Sequence, residues 1–137
     1  MERKLAFSGA LLIAVGFFTG IYSAAALTGT IVLSIPRLAL SAHLNALLGG
    51  MWLLAVSYSL QFLNYGEAQK NKLRLLTVVP AWSNWLITLI ASFLGVNGLQ
   101  YNSDPKNNVI AAMLQIFVVL PSLFSAVYWV RGFYSKN

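Results

Sequence analysis

The sequence predicts an all-α integral membrane protein, a four-transmembrane-helix bundle forming a single domain over residues 1–137. Three observations carry that expectation. Of the 137 residues, 58% are apolar and 9% charged, with a mean hydropathy of +0.72, whereas soluble domains carry about 25% charged residues. The apolar residues fall into four stretches, each near the roughly 20 residues that cross a hydrocarbon core. The charged residues sit at the ends of those stretches or between them.

The first span is expected over residues 5–27. Arg3, Lys4, the apolar run from Leu5 and the small residues Ala24, Ala25 and Ala26 imitate a secretory signal. The apolar run continues to Ile35, longer than the core of such a signal, so a retained first span is expected. Gly16 and Gly20 form a small-xxx-small pair that lets a second backbone approach, with Gly9, Thr19 and Ser23 as further contact residues. Residues 28–35 read as a helix extension or an interfacial segment that Pro36 stops.

The second span is expected over residues 38–63, ended by Asn64, Tyr65 and Gly66. Residues 67–74, with Lys70, Lys72 and Arg74, read as a loop. The third span, residues 75–96, holds Pro80 one turn inside a helix that starts near Thr77, where a missing amide proton costs little. An Asn-rich solvated connection, broken by Pro105, leads to a fourth span over residues 109–133, which carries Gln115 and the kink residue Pro121. Tyr128, Trp129 and Tyr134 form an aromatic belt beside Arg131.

Nine Lys and Arg against three Asp and Glu could suggest nucleic acid, but their placement at span ends makes them topology determinants, and no nucleic-acid partner is expected. Arg3, Lys4, Lys70, Lys72, Arg74, Arg131 and Lys136 fall on one side, and Arg37 and Lys106 on the other. That asymmetry predicts a multi-pass membrane protein with both termini cytoplasmic. His43 would then lie about five residues, or roughly 8 Å, below the opposite surface.

The inventory of reactive groups is short. Glu2, Glu67 and Asp104 lie at termini or in loops, so no carboxylate pair serves acid and base chemistry within the bundle. Cysteine is absent, which excludes disulfides, thiolate metal sites and a cysteine nucleophile. There is no mid-span lysine, phosphate loop or zinc helix. An enzyme built on this chain therefore needs a cofactor for its chemistry.

His43, the one histidine, is the functional candidate, because ionisable side chains within spans usually face a partner or ligand. Ala39, Ala46, Leu47 and Gly50 share its helical face and make that face nearly flat. A flat face beside an imidazole suits a planar macrocycle whose iron takes the nitrogen as axial ligand. A hydrogen bond to a neighbouring helix, with Gly49 and Gly50 as a crossing point, accounts for the same residues. Trp82 and Trp85 read as packing or pocket residues, and Asn84, near mid-bilayer, needs a partner.

The segment Ser8-Gly9-Ala10-Leu11-Leu12, then Gly16 and Thr19-Gly20, followed by Pro36-Arg37-Leu38-Ala39-Leu40-Ser41-Ala42-His43-Leu44, resembles the first half of the bacterial hydroxylaminobenzene mutases, relatives of the styrene oxide isomerases. Asn84-Trp85-Leu86, with Gly95 and Gly98, is similar to that family's third helix. The resemblance implies a membrane isomerase that binds haem b through His43, as a homotrimer with haem near subunit contacts. It implies ferric haem acting as a Lewis acid on an aryl hydroxylamine or epoxide, with an internal shift and no net redox change. Trp82 and Asn84 would line the distal side, and Ala39, Ala46 and Gly50 the macrocycle.

Two positions depart from the family. Gly49 stands where it carries an Asn six residues after the histidine, and Trp82 where it carries a Tyr two residues before the Asn-Trp pair. Gly49 leaves room for a bulkier or differently placed substrate. The expected partners are a small hydrophobic aromatic substrate, the lipid bilayer and further copies of the chain. Two other readings remain open: a non-catalytic haem-binding membrane protein, and a cofactor-free structural or transport bundle.

Overall fold

The computed structural model describes residues 2–134, and among them four helices are long and apolar enough to cross a membrane. They are α1 (Glu2–Leu27), α2 (Pro36–Ser59, prolonged by a 3-10 turn over Leu60–Phe62), α3 (Glu67–Leu94) and α4 (Pro105–Tyr134). Lys136, counted above with the basic side, lies outside the described residues. The expected all-α four-span architecture is therefore observed. Each helix packs chiefly on its neighbour in sequence, and α1 lies against both α2 and α3.

The closest pairing, α1 on α2, follows from the glycines. Leu5, Gly9, Leu12, Gly16, Thr19, Ser23 and Ala26 recur every three or four residues and form the buried stripe of α1. A β-carbon at Gly9 would stand 2.8 Å from the carbonyl oxygen of Gly50, and one at Gly50 would stand 2.7 Å from that of Gly9. The two backbones touch, which in lipid replaces the hydrophobic drive that water supplies elsewhere. One level higher, Gly16 admits Ala46 and Leu47 in the same way.

Residues 28–35 are an irregular connection rather than a helix extension. Gly29, at a φ of 74°, lets the chain reverse, and the amide of Ile31 bonds back to the carbonyl of Ala25 at 3.1 Å. Pro36 does not merely stop this segment; it starts α2 from the first turn. Ser34 rests against Gly95, so the connection crosses the far end of α3.

Three sequence expectations are corrected. Residues 67–74 are not a loop but the first two turns of α3, because Glu, Ala, Gln, Lys and Arg are good helix formers and need no membrane to stay helical. The amide of Gly66 donates to Gln69 Oε1 at 2.8 Å, and Glu67 sits in the first turn, where the helix dipole favours it. Pro80 is consequently deep within α3, and the carbonyl of Leu76 loses its helical donor, a defect that neighbouring helices in a membrane bundle tolerate.

The second correction concerns Pro105, which opens α4 instead of breaking the connection before it: Asp104 caps the helix by accepting the amide of Lys106 at 2.9 Å. The third is the Asn-rich connection itself, which is knitted rather than simply solvated. Asn107 is 2% exposed; its Oδ1 accepts the amide of Gly98 at 2.9 Å and its Nδ2 donates to the carbonyl of Gln100 at 2.6 Å. Asn108 brackets Asn102 through both backbone groups at 2.8 Å.

Helix α4 widens to π geometry over Gln115–Val119, where the amide of Leu120 reaches back five residues to the carbonyl of Gln115. Pro121 follows directly, and lacking an amide proton it cannot restore the α ladder there. At the other end Trp129 donates to Ser59 Oγ at 2.7 Å, while Tyr65 stacks on Tyr128 and donates to its carbonyl at 2.7 Å. The aromatic belt thus clamps α4 to the end of α2, and of its expected members Tyr134 alone is largely exposed.

Candidate functional site

His43 stands seven residues after Pro36, and its ring enters the notch that Gly16 and Gly20 leave in α1. Nδ1 is 2.7 Å from the carbonyl oxygen of Gly16. A carbonyl only accepts, so Nδ1 carries a proton and donates, and the tautomer compatible with this bond has its lone pair on Nε2. A β-carbon at Gly20 would lie 2.9 Å from Cε1 and 3.0 Å from Nδ1, so glycine there makes room for the imidazole. Nε2 has no hydrogen bond among the described residues, and the side chain is half-buried rather than enclosed.

The small residues on that face are placed differently from the expectation. Ala39, Ala46 and Gly50 are buried, Ala46 and Gly50 beneath α1, so the flat face is occupied by a helix and cannot also receive a planar group.

Nor do Trp82 and Asn84 line a common pocket with His43 in one chain. Trp82 Nε1 donates to Ser8 Oγ at 2.9 Å, and Ser8 precedes Gly16 by eight residues, about 12 Å along α1. Trp85 is the indole at the level of His43, donating at 3.0 Å to Thr19 Oγ1, which in turn donates to the carbonyl of Val15 at 2.9 Å. The two indoles meet edge to face with centroids 5.8 Å apart. Asn84 points the other way, toward α2 and α4, because it is some 200° round α3 from Trp82.

There it finds the partner it needs. Asn45 Nδ2 donates to Asn84 Oδ1 at 3.2 Å and to Thr88 Oγ1 at 3.0 Å. Two cavities of about 290 Å³ each meet at Asn45 and Asn84. Toward the middle of the bundle the walls are Gly49, Trp52, Pro80, Val118 and Ser122; toward the Arg37 end they include Ser41, Thr88 and Asn97. Asn45 is the residue that the sequence expectations did not place in the site. It was readable as the second amide in an apolar span, two positions and 200° from His43, with Asn84 and Thr88 one turn apart to receive it.

Two features define the class of protein: one imidazole with a free nitrogen at an α1–α2 crossing, and an uncharged polar cavity on the opposite face of α2, both within four membrane-length helices. The chain belongs to the styrene oxide isomerase family, whose model matches residues 1–134, which bears out the resemblance seen in the sequence. It is also similar to the hydroxylaminobenzene mutase HabB of Ectopseudomonas oleovorans, 32% identical over 98 residues that make up 72% of this chain and 56% of that protein. The chain thus spans little more than half the length of that curated relative.

Proposed function

We propose that this chain is a membrane-embedded isomerase that rearranges a small aromatic substrate, an aryl epoxide or an aryl hydroxylamine, with haem b held by His43. Membership of the styrene oxide isomerase family and similarity to a hydroxylaminobenzene mutase support the reaction class. The observation that carries the haem assignment is the 2.7 Å bond from Nδ1 to Gly16, which fixes the tautomer that leaves Nε2 free for a metal. Among the described residues no group of three His, Cys, Asp or Glu side chains could hold an ion, so a metal here has to bring most of its donors with it. A porphyrin does that.

When bound, ferric haem supplies a Lewis acid that accepts a lone pair from the substrate's oxygen or nitrogen. The chain's own contribution is positional. Gly16 and Gly20 hold the imidazole against rotation, and Trp85 and Thr19 close the bundle at the same level. Asn84 and His43 lie on opposite faces of α2, so both serve one substrate only where two copies meet, as in the homotrimer the resemblance implies. The basic residues at the ends of α1 and α4 and the start of α3 favour cytoplasmic termini. A hydrophobic substrate reaches such a site through the bilayer.

The test is an absorption spectrum of protein purified in mild detergent with haem supplied during expression, for wild type and His43→Ala, followed by turnover of aryl epoxides and aryl hydroxylamines. A Soret band that disappears or shifts in the variant, with turnover in the wild type, is expected. A folded wild type without the band overturns the haem assignment; a band without turnover of either class overturns the isomerase.

A further inference from the structure

We propose that the seam between α3 and α4, at the end of the bundle where α1 and α3 begin, binds an anionic diacyl phospholipid whose phosphate sits between Lys72 and Arg131. The two cations come from different helices. Lys72 lies in the second turn of α3 and Arg131 in the last turn of α4, and both line a cavity of about 160 Å³. Lys72 Nζ stands 5.4 Å from the centre of the Tyr128 ring, which holds the ammonium over the seam. Trp129 and Tyr65 tie this stretch of α4 to the end of α2 and the turn after it, so both charges sit at the aromatic belt, the level of lipid headgroups.

Neither cation has an acid to answer it in the seam. The chain has three carboxylates, and none lines this cavity or the one beside it. Asp104 caps the opposite end of α4, and Glu67 precedes Lys72 by five residues, about 140° round α3. Glu2 opens α1, which packs on α2 and α3. A second copy of the chain would bring more basic than acidic residues to this end, so charge favours an anion as occupant. Below the cations both helices turn apolar: Leu76 is one turn from Lys72, and Val127 and Phe124 are one and two turns from Arg131. Val127 is 70% exposed and Phe124 65%, an apolar surface left for lipid. A second cavity, of about 480 Å³, lies on the other flank of the Val127–Arg131 ridge against Ala126 and Val130. Arg131 offers that cavity its aliphatic stem, as a snorkelling side chain does. Two apolar troughs below one pair of cations match two acyl chains below one phosphate; a free phosphate would leave both troughs unfilled.

Native mass spectrometry of the full chain in mild detergent, titrated with phosphatidylglycerol or phosphatidylcholine, counts the lipid retained per chain. Saturable retention of phosphatidylglycerol is expected, at least about fivefold tighter than phosphatidylcholine, with no displacement by millimolar inorganic phosphate. Each basic residue beside an anionic lipid is worth about fivefold, so Lys72→Gln/Arg131→Gln should weaken binding about 30-fold. Arg3→Gln/Lys4→Gln, an equal loss of charge at the same end, should leave it unchanged, as should His43→Ala. Val127→Trp keeps both cations but crowds the ridge between the troughs, and should abolish retention. Equal retention of the two lipids, equal weakening by the Arg3 and Lys4 pair, or unchanged binding in either folded seam variant overturns the proposal. Displacement by inorganic phosphate overturns the lipid as occupant. The chain has no cysteine, so Val127→Cys supplies a unique thiol. Its disulfide cross-linking to a second copy in lipid nanodiscs would mean that a copy covers the seam, and overturns the proposal too.

Discussion

Placing a methyl group at Gly20 tests the geometry on which the role of His43 depends. The new carbon would stand 2.9 Å from Cε1, and since carbon contacts settle at about 3.5–4.0 Å the ring has to retreat by roughly 0.6 Å or more. A retreat of that size takes the 2.7 Å bond to Gly16 to about 3.3 Å, beyond the ordinary range for N–H···O. The net loss is about 1 kcal/mol, enough to release the tautomer that the bond enforces. Because the chain has one histidine, nitrogen NMR of the ¹⁵N-histidine-labelled protein reads this site alone. Wild type should show a protonated Nδ1 and a bare Nε2; Gly20→Ala should shift toward a protonated Nε2. In a haem titration the same variant should bind about 10–100-fold more weakly, the usual effect of losing a ligand's orienting bond. A wild-type spectrum with the proton on Nε2 would refute the assignment, and unchanged haem affinity in Gly20→Ala would remove the Gly16 bond from the account.

Other perturbations have equally definite outcomes. Gly50→Val places a carbon 2.7 Å from the backbone oxygen of Gly9, which cannot step aside, so thermal unfolding in detergent should reveal a loss of about 1–3 kcal/mol, while Leu44→Val on the lipid side changes little. Asn107→Ala strands the amide of Gly98 and the carbonyl of Gln100, costing about 1–3 kcal/mol, and hydrogen exchange should accelerate at residues 98–100 with α3 unaffected. Burial, reinforced by Tyr128 and opposed by Arg131, pushes the Tyr65 phenol above its ordinary value of 10.0. The fold therefore favours the neutral phenol; that contribution is intact below about pH 10 and is lost as pH climbs through the raised value, so Tyr65→Phe should flatten the alkaline limb of a stability profile.

Span number was legible because it rests on a local signal, a run of apolar residues, and a Gly-xxx-Gly pair marked α1 as a close-packing helix without naming α2 as its partner. Helix limits beyond the lipid were not: residues 67–74 are polar and helical at once, and polarity alone marks only where lipid ends. That error put Pro80 near the first turn of a helix whose interior it occupies. The site divided in the same manner. His43 announces itself by cost, whereas the direction in which Asn84 points depends on how α3 is rotated between α2 and α4, which no local pattern near Asn84 records. The face of Ala39, Ala46 and Gly50 was legible as flat but not its occupant, since a close-packed helix and a porphyrin ask the same of a surface, and α1 lies over Ala46 and Gly50. The π turn has no signature except Pro121 itself.

The knitted connection after α3 also governs how the protein ages. Asn97-Gly98 is the dipeptide most prone to spontaneous deamidation, in which the glycine amide nitrogen attacks the asparagine side chain and closes a succinimide ring. Here that nitrogen is held by Asn107, and Oδ1 of Asn97 is held by the amide of Leu99 at 3.0 Å. Nucleophile and electrophile are each tied to a different neighbour. Isoaspartate at residue 97 in a stored sample would therefore act as a clock for how long this loop has spent undone, readable by peptide mapping long after the fold has re-formed.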